Sequence, residues 1–336
     1  CYARMTPGGA LQVSRYTFLP PKETFAEPES DMQAMGGLLD EVFLSRTVSD
    51  KPMGECLYGG IDSSLIAESL ARPMPENLHT FSVRFADGAP DYDESMYARM
   101  VAHHIGSDHK VLEVHAEAHE TLYQLADAFD QPVANTAALP TWLISKECKS
   151  FVDVALSGVG GDELFGGYPR YLGMSWHQRL QKIPGRGLAL SAVRGMPDSG
   201  RSRNLRGRLR RLLEGLDMPA HNAYQRWTSS ANEPWEEMFT LPEVRSEKAW
   251  PHATDAYHGL EGLIETYGPE QGAMAYDVLT YLPDDLLAVG DRMSMVHALE
   301  LRAPFLDTRL LHAAMSLPGS AKVAGMPWNE GLKLLL

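Results

Sequence analysis

The amino-acid sequence predicts an α/β fold: a parallel, doubly wound sheet followed by a mostly helical C-terminal part. Two observations carry this. Between residues 31 and 156, short strand-like apolar runs alternate with amphipathic helical stretches, which implies right-handed crossovers and a sheet covered on both faces. Two of the runs, ending at Leu57 and Leu156, lead into glycine turns that open the next helix. In such sheets ligands sit at the carboxyl ends of the strands.

Residues 1–31 read as a connector, punctuated by Pro7-Gly8-Gly9, Pro20-Pro21 and Pro28. Met35, Leu38, Leu39, Val42 and Phe43 share one helical face, so 31–47 is expected to be an amphipathic helix. Residues 53–57 form a candidate strand weakened by Glu55, and Leu65-Ile66-Ala67 with Leu70-Ala71 continue at helical spacing. Strands are expected at 78–85, 110–114 and 151–156. Between them come a helix capped by Asp93-Glu94 and running towards Ile105, then helices at 119–129 and 141–150. From 179 to 211 there are ten Arg or Lys against one acid, Asp198, which reads as a solvated helical face or an interface. Residues 212–270 hold Trp227, Trp235 and Trp250 in mixed helical patterns that carry no nameable chemistry. Pro283 opens a last helix over 284–299.

At 336 residues the chain is near the upper limit for one core, and 44% hydrophobic residues suit a soluble globular protein. A net charge of −14 argues against a general nucleic-acid partner. Cys1, Cys56 and Cys148 show no paired metal spacing and fit a reducing cytoplasm. No apolar run approaches the roughly 20 residues of a membrane span.

The first informative stretch is Leu57-Tyr58-Gly59-Gly60-Ile61-Asp62-Ser63-Ser64. Two glycines at a strand-to-helix turn admit a close ligand, and the free N–H groups of the helix start attract anions. An ordinary capped turn is the plainer alternative. The second stretch, residues 156–168, ends a strand at Leu156-Ser157-Gly158 and places Asp162 and Glu163 at the next helix start. Both acids also read as helix caps. A dinucleotide fingerprint fits poorly, because Glu163 stands where the third glycine belongs. Together the two turns offer Asp62 and Asp162 at strand ends, and Mg²⁺ bridging phosphates is commonly held by one or two carboxylates.

The first stretch resembles the Ser-Gly-Gly-x-Asp-Ser pyrophosphate loop of the ATP-pyrophosphatases, which have the adenine nucleotide alpha hydrolase-like fold. The second resembles the asparagine synthetase signature, and Leu282-Pro283-Asp284-Asp285-Leu286-Leu287, Asp291-Arg292-Met293-Ser294-Met295 and the segment 300–307 extend the likeness to that family. The resemblance implies ATP on Leu57, Gly59, Gly60, Asp62, Ser63, Ser64, Val83, Ser157 and Gly158, with Mg²⁺ on Asp62 and Asp162. Arg292 and Glu163 are the implied catalytic residues, an ion pair on a helix face being the alternative for Arg292. Aspartate is implied as the carboxylate that is adenylated and ammonia as the nucleophile, with another acceptor carboxylate or a nucleotide-binding module without turnover left open. A second copy of the chain as partner is also left open. Residues 1–31 resemble the join after a glutaminase domain that is expected to be missing, and residues 32–336 a synthetase domain cut short at Leu336. Cys1 is not expected to be a glutaminase nucleophile, because Tyr2-Ala3-Arg4 follow it. Two residues depart from the family pattern: Tyr58 replaces the loop serine, and Val159 stands where relatives carry Glu, Asp or Tyr.

Overall fold

The computed structural model describes residues 2–5, 9–14, 19–20, 28–73, 78–85, 94–114, 118–131, 135–182, 191–192, 210, 212–228 and 251–323. Five strands form one parallel sheet: β3 (Met53–Cys56), β4 (His79–Phe85), β5 (Asp108–Val114), β6 (Val154–Leu156) and β7 (Glu300–Arg302), in the order β5-β4-β3-β6-β7. Two earlier strands, β1 (Tyr2–Arg4) and β2 (Gln12–Ser14), pair antiparallel with each other inside the expected connector. The chain builds outward from β3 through β4 to β5, then returns to the other side of β3 as β6. That reversal makes the crevice between β3 and β6 the topological switch point, where open α/β sheets bind ligands. Both glycine turns follow these two strands.

The apolar periodicities explain the layers. In α1 (Pro28–Ser45), Met35, Leu39, Val42 and Phe43 are buried with Leu65, Ile66 and Leu70 of α2 (Ile61–Ala71) and with Phe305, Leu310 and Ala314. Helix α3 (Ser95–Ile105) packs beside α2 through Ala98 and Ala102. Cys56, Phe81, Leu112 and Ala155 on the opposite face lie under Ile144 and Cys148 of α5 (Ala138–Cys148), while α4 (Ala118–Phe129) packs outside them with Val289 and Met293. A separate apolar cluster joins Tyr171 and Met174 of α7 (Pro169–Leu180) to Tyr224, Leu260, Met274 and Tyr276, forming the core of the helical part. Between the layers, α6 (Gly161–Phe165) follows the second glycine turn. No described helix is long and apolar enough to cross a membrane.

Several expectations shift at their edges. The 151–156 strand shortens to Val154–Leu156, because Phe151 and Val152 close the turn after α5 onto the Cys148 carbonyl. The helix expected over 284–299 divides into a π-helical turn, Leu282–Leu286, and an α-helix, Leu287–Met295, and β7 adds an edge strand that three residues were too short to signal. The basic stretch lies mostly outside the described residues, as do Trp235, Trp250 and the chain end at Leu336.

Glu55 stands in the centre of β3 between Thr80 and Leu156 and is wholly buried. Burial raises its carboxyl well above the usual range, Cys56 adds to the shift, and the Ala67 backbone opposes it only in part. The folded state therefore holds a proton that the unfolded chain releases near ~4.3. On this group's account stability is greatest at low pH and falls as pH rises towards the folded value. Glu55→Met should raise unfolding stability at about pH 8 by about 1–3 kcal/mol, with a smaller gain at about pH 5. Thermal melts at both pH values check this; an equal gain at both would mean that ionisation of Glu55 costs nothing.

Candidate functional site: a cleft between two glycine turns

The backbone of the first turn is shaped by local needs. Leu57 N–H donates to the Phe81 carbonyl at 2.7 Å, extending the β3–β4 ladder by one residue. The chain then reverses through Gly59 at φ +81°, where a Cβ would also lie 2.7 Å from Tyr97 Cβ, so no other residue fits there. The Ser63 hydroxyl accepts from Tyr58 N–H at 3.3 Å and donates to the Gly60 carbonyl at 3.2 Å; the Ser64 hydroxyl donates to the same carbonyl at 2.7 Å. Both serines thus brace the loop. Gly60 has open space around it, a Cβ there meeting only Asp62 Oδ1 at 3.4 Å.

The second turn comes up against Asp62. A Cβ on Gly158 would stand 3.2 Å from Asp62 Oδ2, and one on Gly161 would stand 2.9 Å from Asp62 Cβ. The two turns enclose a cleft of about 470 Å³ lined by Gly59, Gly60, Asp62, Ser63, Ser157, Gly158, Asp162 and Glu163, all eight expected from the sequence. Tyr58, Glu94, Val159, Tyr168 and Leu286 also contribute to its lining. Four of these residues are acids (Asp62, Glu94, Asp162 and Glu163), and no lysine or arginine is among the described residues that line it. Burial raises the Asp62 carboxyl to about 7, the Asp162 charge adding to the effect, with smaller contributions from Glu163 and Glu94. Burial likewise raises Glu163 to about 7, against the lowering effect of a hydrogen bond from Tyr168.

Four expected residues lie elsewhere. Leu57 is buried with Ala67, Ala98 and Ala102, and Val83 packs within the layers around β4. Ser64 faces a neighbouring groove between α1, α2 and α3. The Arg292 guanidinium donates to the Phe129 carbonyl and lies 5.4 Å from that ring, outside the cleft lining. Tyr58 is 41% exposed over the whole residue, but its hydroxyl end is buried beside the Cys56 thiol, and that burial raises the phenol well above its usual value. Tyr168 and Leu286 stand in the glycine-turn and Leu282–Leu287 motifs without a role expected from sequence. Their positions in the cleft follow from turns whose path a motif does not reveal.

The fold and the cleft define a class: an α/β domain whose ligand crevice is built from two glycine turns at the switch point of a parallel sheet. Residues 34–335 match the asparagine synthase family, and the chain belongs to that family. It is 31% identical over 278 residues to asparagine synthetase [glutamine-hydrolyzing] 1 of Bacillus subtilis, covering 82% of this chain and 42% of that protein. It is 33% identical over 148 residues to asparagine synthetase [glutamine-hydrolyzing] 2 of Oryza sativa, covering 38% of this chain and 23% of that one. The chain spans about half the length of the curated relatives it matches.

The raised Asp62 carboxyl carries a stability signature. It titrates near about 7 when folded and near ~3.9 when unfolded, so the folded state keeps the proton in between. Stability on this account is full below the lower value and declines as pH rises through the upper one. Asp62→Asn should melt a few °C higher than the parent at about pH 8 and no higher at about pH 4. Calorimetry without added metal checks this, and a lower melting point at about pH 8 would show that the charge is compensated in the fold.

Proposed function

We propose that the chain is the ATP-consuming, amide-forming unit of an asparagine synthetase, active on the side-chain carboxylate of aspartate or of a related acid. The reading is carried by one observation: the two glycine turns face each other at the switch point and bring Asp62 and Asp162 into one cleft. In the reaction an aspartate oxygen bonds to the α-phosphorus of ATP as the bond from that phosphorus to the pyrophosphate oxygen breaks. An ammonia nitrogen then bonds to the activated carbonyl carbon, AMP leaves with the electrons of its C–O bond, and the nitrogen loses a proton.

The chain's own groups divide this work. The N–H groups of Ile61, Asp62 and Ser63 at the start of α2 have no carbonyl four residues back within the helix, and such a helix start favours an anion. Gly60 leaves the approach to them open. The donor set suits a divalent cation: two hard carboxylates in a cleft short of positive charge, the Asp162 charge adding to the raised proton affinity of Asp62. Asp62 and Asp162 would hold Mg²⁺, which neutralises phosphate charge when bound. Glu163, buried in the lining of the cleft, would accept the proton released by nitrogen. Cys56 and Cys148, both free thiols, fit work in a reducing cytoplasm.

A second reading, nucleotide binding without turnover, is favoured by Val159, which lines the cleft and can neither donate nor accept a proton. One assay separates the two: pyrophosphate release with ATP, Mg²⁺, ammonium and a panel of carboxylates. Release that depends on one carboxylate supports the first reading, and ATP affinity without release supports the second. Asp62→Ala and Asp162→Ala should each weaken Mg²⁺-dependent ATP binding at least tenfold in calorimetry, while ATP binding without metal changes far less. Unchanged Mg²⁺ dependence in both variants would remove the shared cation site.

A further inference from the structure

The Tyr168 hydroxyl donates to Glu163 Oε1 at 2.6 Å, and both residues line the cleft. Helix α6 ends at Gly166, φ +79°, whose N–H and that of Gly167 both return to the Asp162 carbonyl. This tight close brings the ring back beside the helix start. Behind the ring stands Arg170, its guanidinium 3.9 Å from the Tyr168 ring centroid and 4.9 Å from that of Tyr281. Arg170 in turn donates from Nε at 3.0 Å and Nη2 at 2.6 Å to Asp277 Oδ2. The same oxygen receives the Tyr171 and Tyr224 hydroxyls, each at 2.6 Å.

Asp277 lies on the helix Pro269–Leu279 and Tyr224 on the helix Ala220–Thr228, so an unbroken series of contacts runs from the helical core to the cleft. As a stability device it is a poor choice. A buried ion pair of this kind is commonly matched or bettered by apolar packing, so its presence calls for another reason. Its geometry supplies one. The guanidinium fixes the plane of the phenol ring, and its charge above the ring face adds a cation–π attraction. The fixed hydroxyl then fixes the carboxylate that would otherwise swing away from its negative neighbour Asp162.

We propose that Tyr168 is the positioning residue for Glu163, anchored by the Arg170–Asp277 pair, so that the helical part of the molecule sets the geometry of the cleft's proton-accepting carboxylate. The kinetic part of this inference rests on the amide-forming reaction above; the geometric part does not. Tyr168→Phe tests both, since it keeps the ring and its packing on Arg170 and removes one hydroxyl. Crystal structures of the parent and the variant should show Glu163 in one conformation in the first and spread over several in the second. In pyrophosphate-release assays with ammonium and aspartate, kcat should fall about 10–100-fold, with the KM for ATP unchanged within about twofold. Asp277→Asn keeps the phenol and loosens its anchor, and should give a smaller fall in kcat with the same constant KM. The proposal is overturned if Glu163 keeps its conformation in Tyr168→Phe, or if that variant raises the KM for ATP at unchanged kcat. A parent that releases no pyrophosphate with any carboxylate would remove the proposed reaction, while the two crystal structures would still decide the positioning role.

Discussion

Asp62 enters the cleft only because the turn facing it has glycine at the two points of closest approach, Gly158 and Gly161. At Gly161 a Cβ would lie 2.9 Å from Asp62 Cβ, a distance that real Cβ atoms do not tolerate, and at Gly158 one would lie 3.1 Å from it. The rest of the site depends on this fit. It requires β6 to sit next to β3, which sets the strand order, and it requires both strands to end at the same level. The register Met53↔Val154 through Glu55↔Leu156 delivers that level ending. The sheet topology is thus part of the site's chemistry and not a neutral support for it.

The same closeness makes the cleft electrostatically unfinished. Asp62, Asp162, Glu163 and Glu94 converge with no lysine or arginine among the described residues lining the space. A fold optimised for stability alone would not gather this set. The raised Asp62 and Glu163 carboxyls measure that cost, which lessens when positive charge arrives. A site in this state favours a ligand that brings its own cation over a bare anion. Glu55 is a different case: it is also a buried acid, but it stands inside β3 and outside the cleft lining, where no ligand can relieve it.

The fold was largely legible in the sequence because its signals are local. Helical spacing of Met35, Leu39, Val42 and Phe43 and the alternation of runs up to Leu156 gave the layers and the parallel sheet. The turns were legible because the wording around Asp62 and Asp162 resembles the motifs of one family, whereas Gly-Gly before an acid alone fits an ordinary capped turn. What stayed hidden depends on distance in space. β7 is three residues whose strand character comes from pairing with β6, and nothing in Glu300–Arg302 announces it. Leu57 and Val83 follow the pattern of a ligand pocket in sequence, but the same apolar character buries Leu57 and packs the partly buried Val83 against the layers. Arg292 shows the limit most clearly, since a cation in a motif has no direction until its helix is packed, and here it meets Phe129. Tyr168 is the reverse case, a residue whose significance lies in a partner five positions back and a stack two positions on.

The two departures, Tyr58 and Val159, change what the cleft can offer in the same direction. Tyr58 keeps a hydroxyl in the chain where a serine would stand, but the longer side chain carries it to Cys56. Its backbone N–H is already taken by Ser63 Oγ, so the loop's own serine has claimed that donor. Val159 contributes an apolar wall. With the Ser63 and Ser64 hydroxyls also committed to the Gly60 carbonyl, the loop's free hydrogen-bonding capacity resides in backbone N–H groups. Backbone donors recognise the shape and charge of an anion and are indifferent to side-chain substitution nearby. On the proposed function, binding is therefore better protected against drift than chemistry, which would fall on few side chains. Among the acids lining the cleft, Glu163 is connected through Tyr168 and Arg170 to Asp277 in another layer of the molecule.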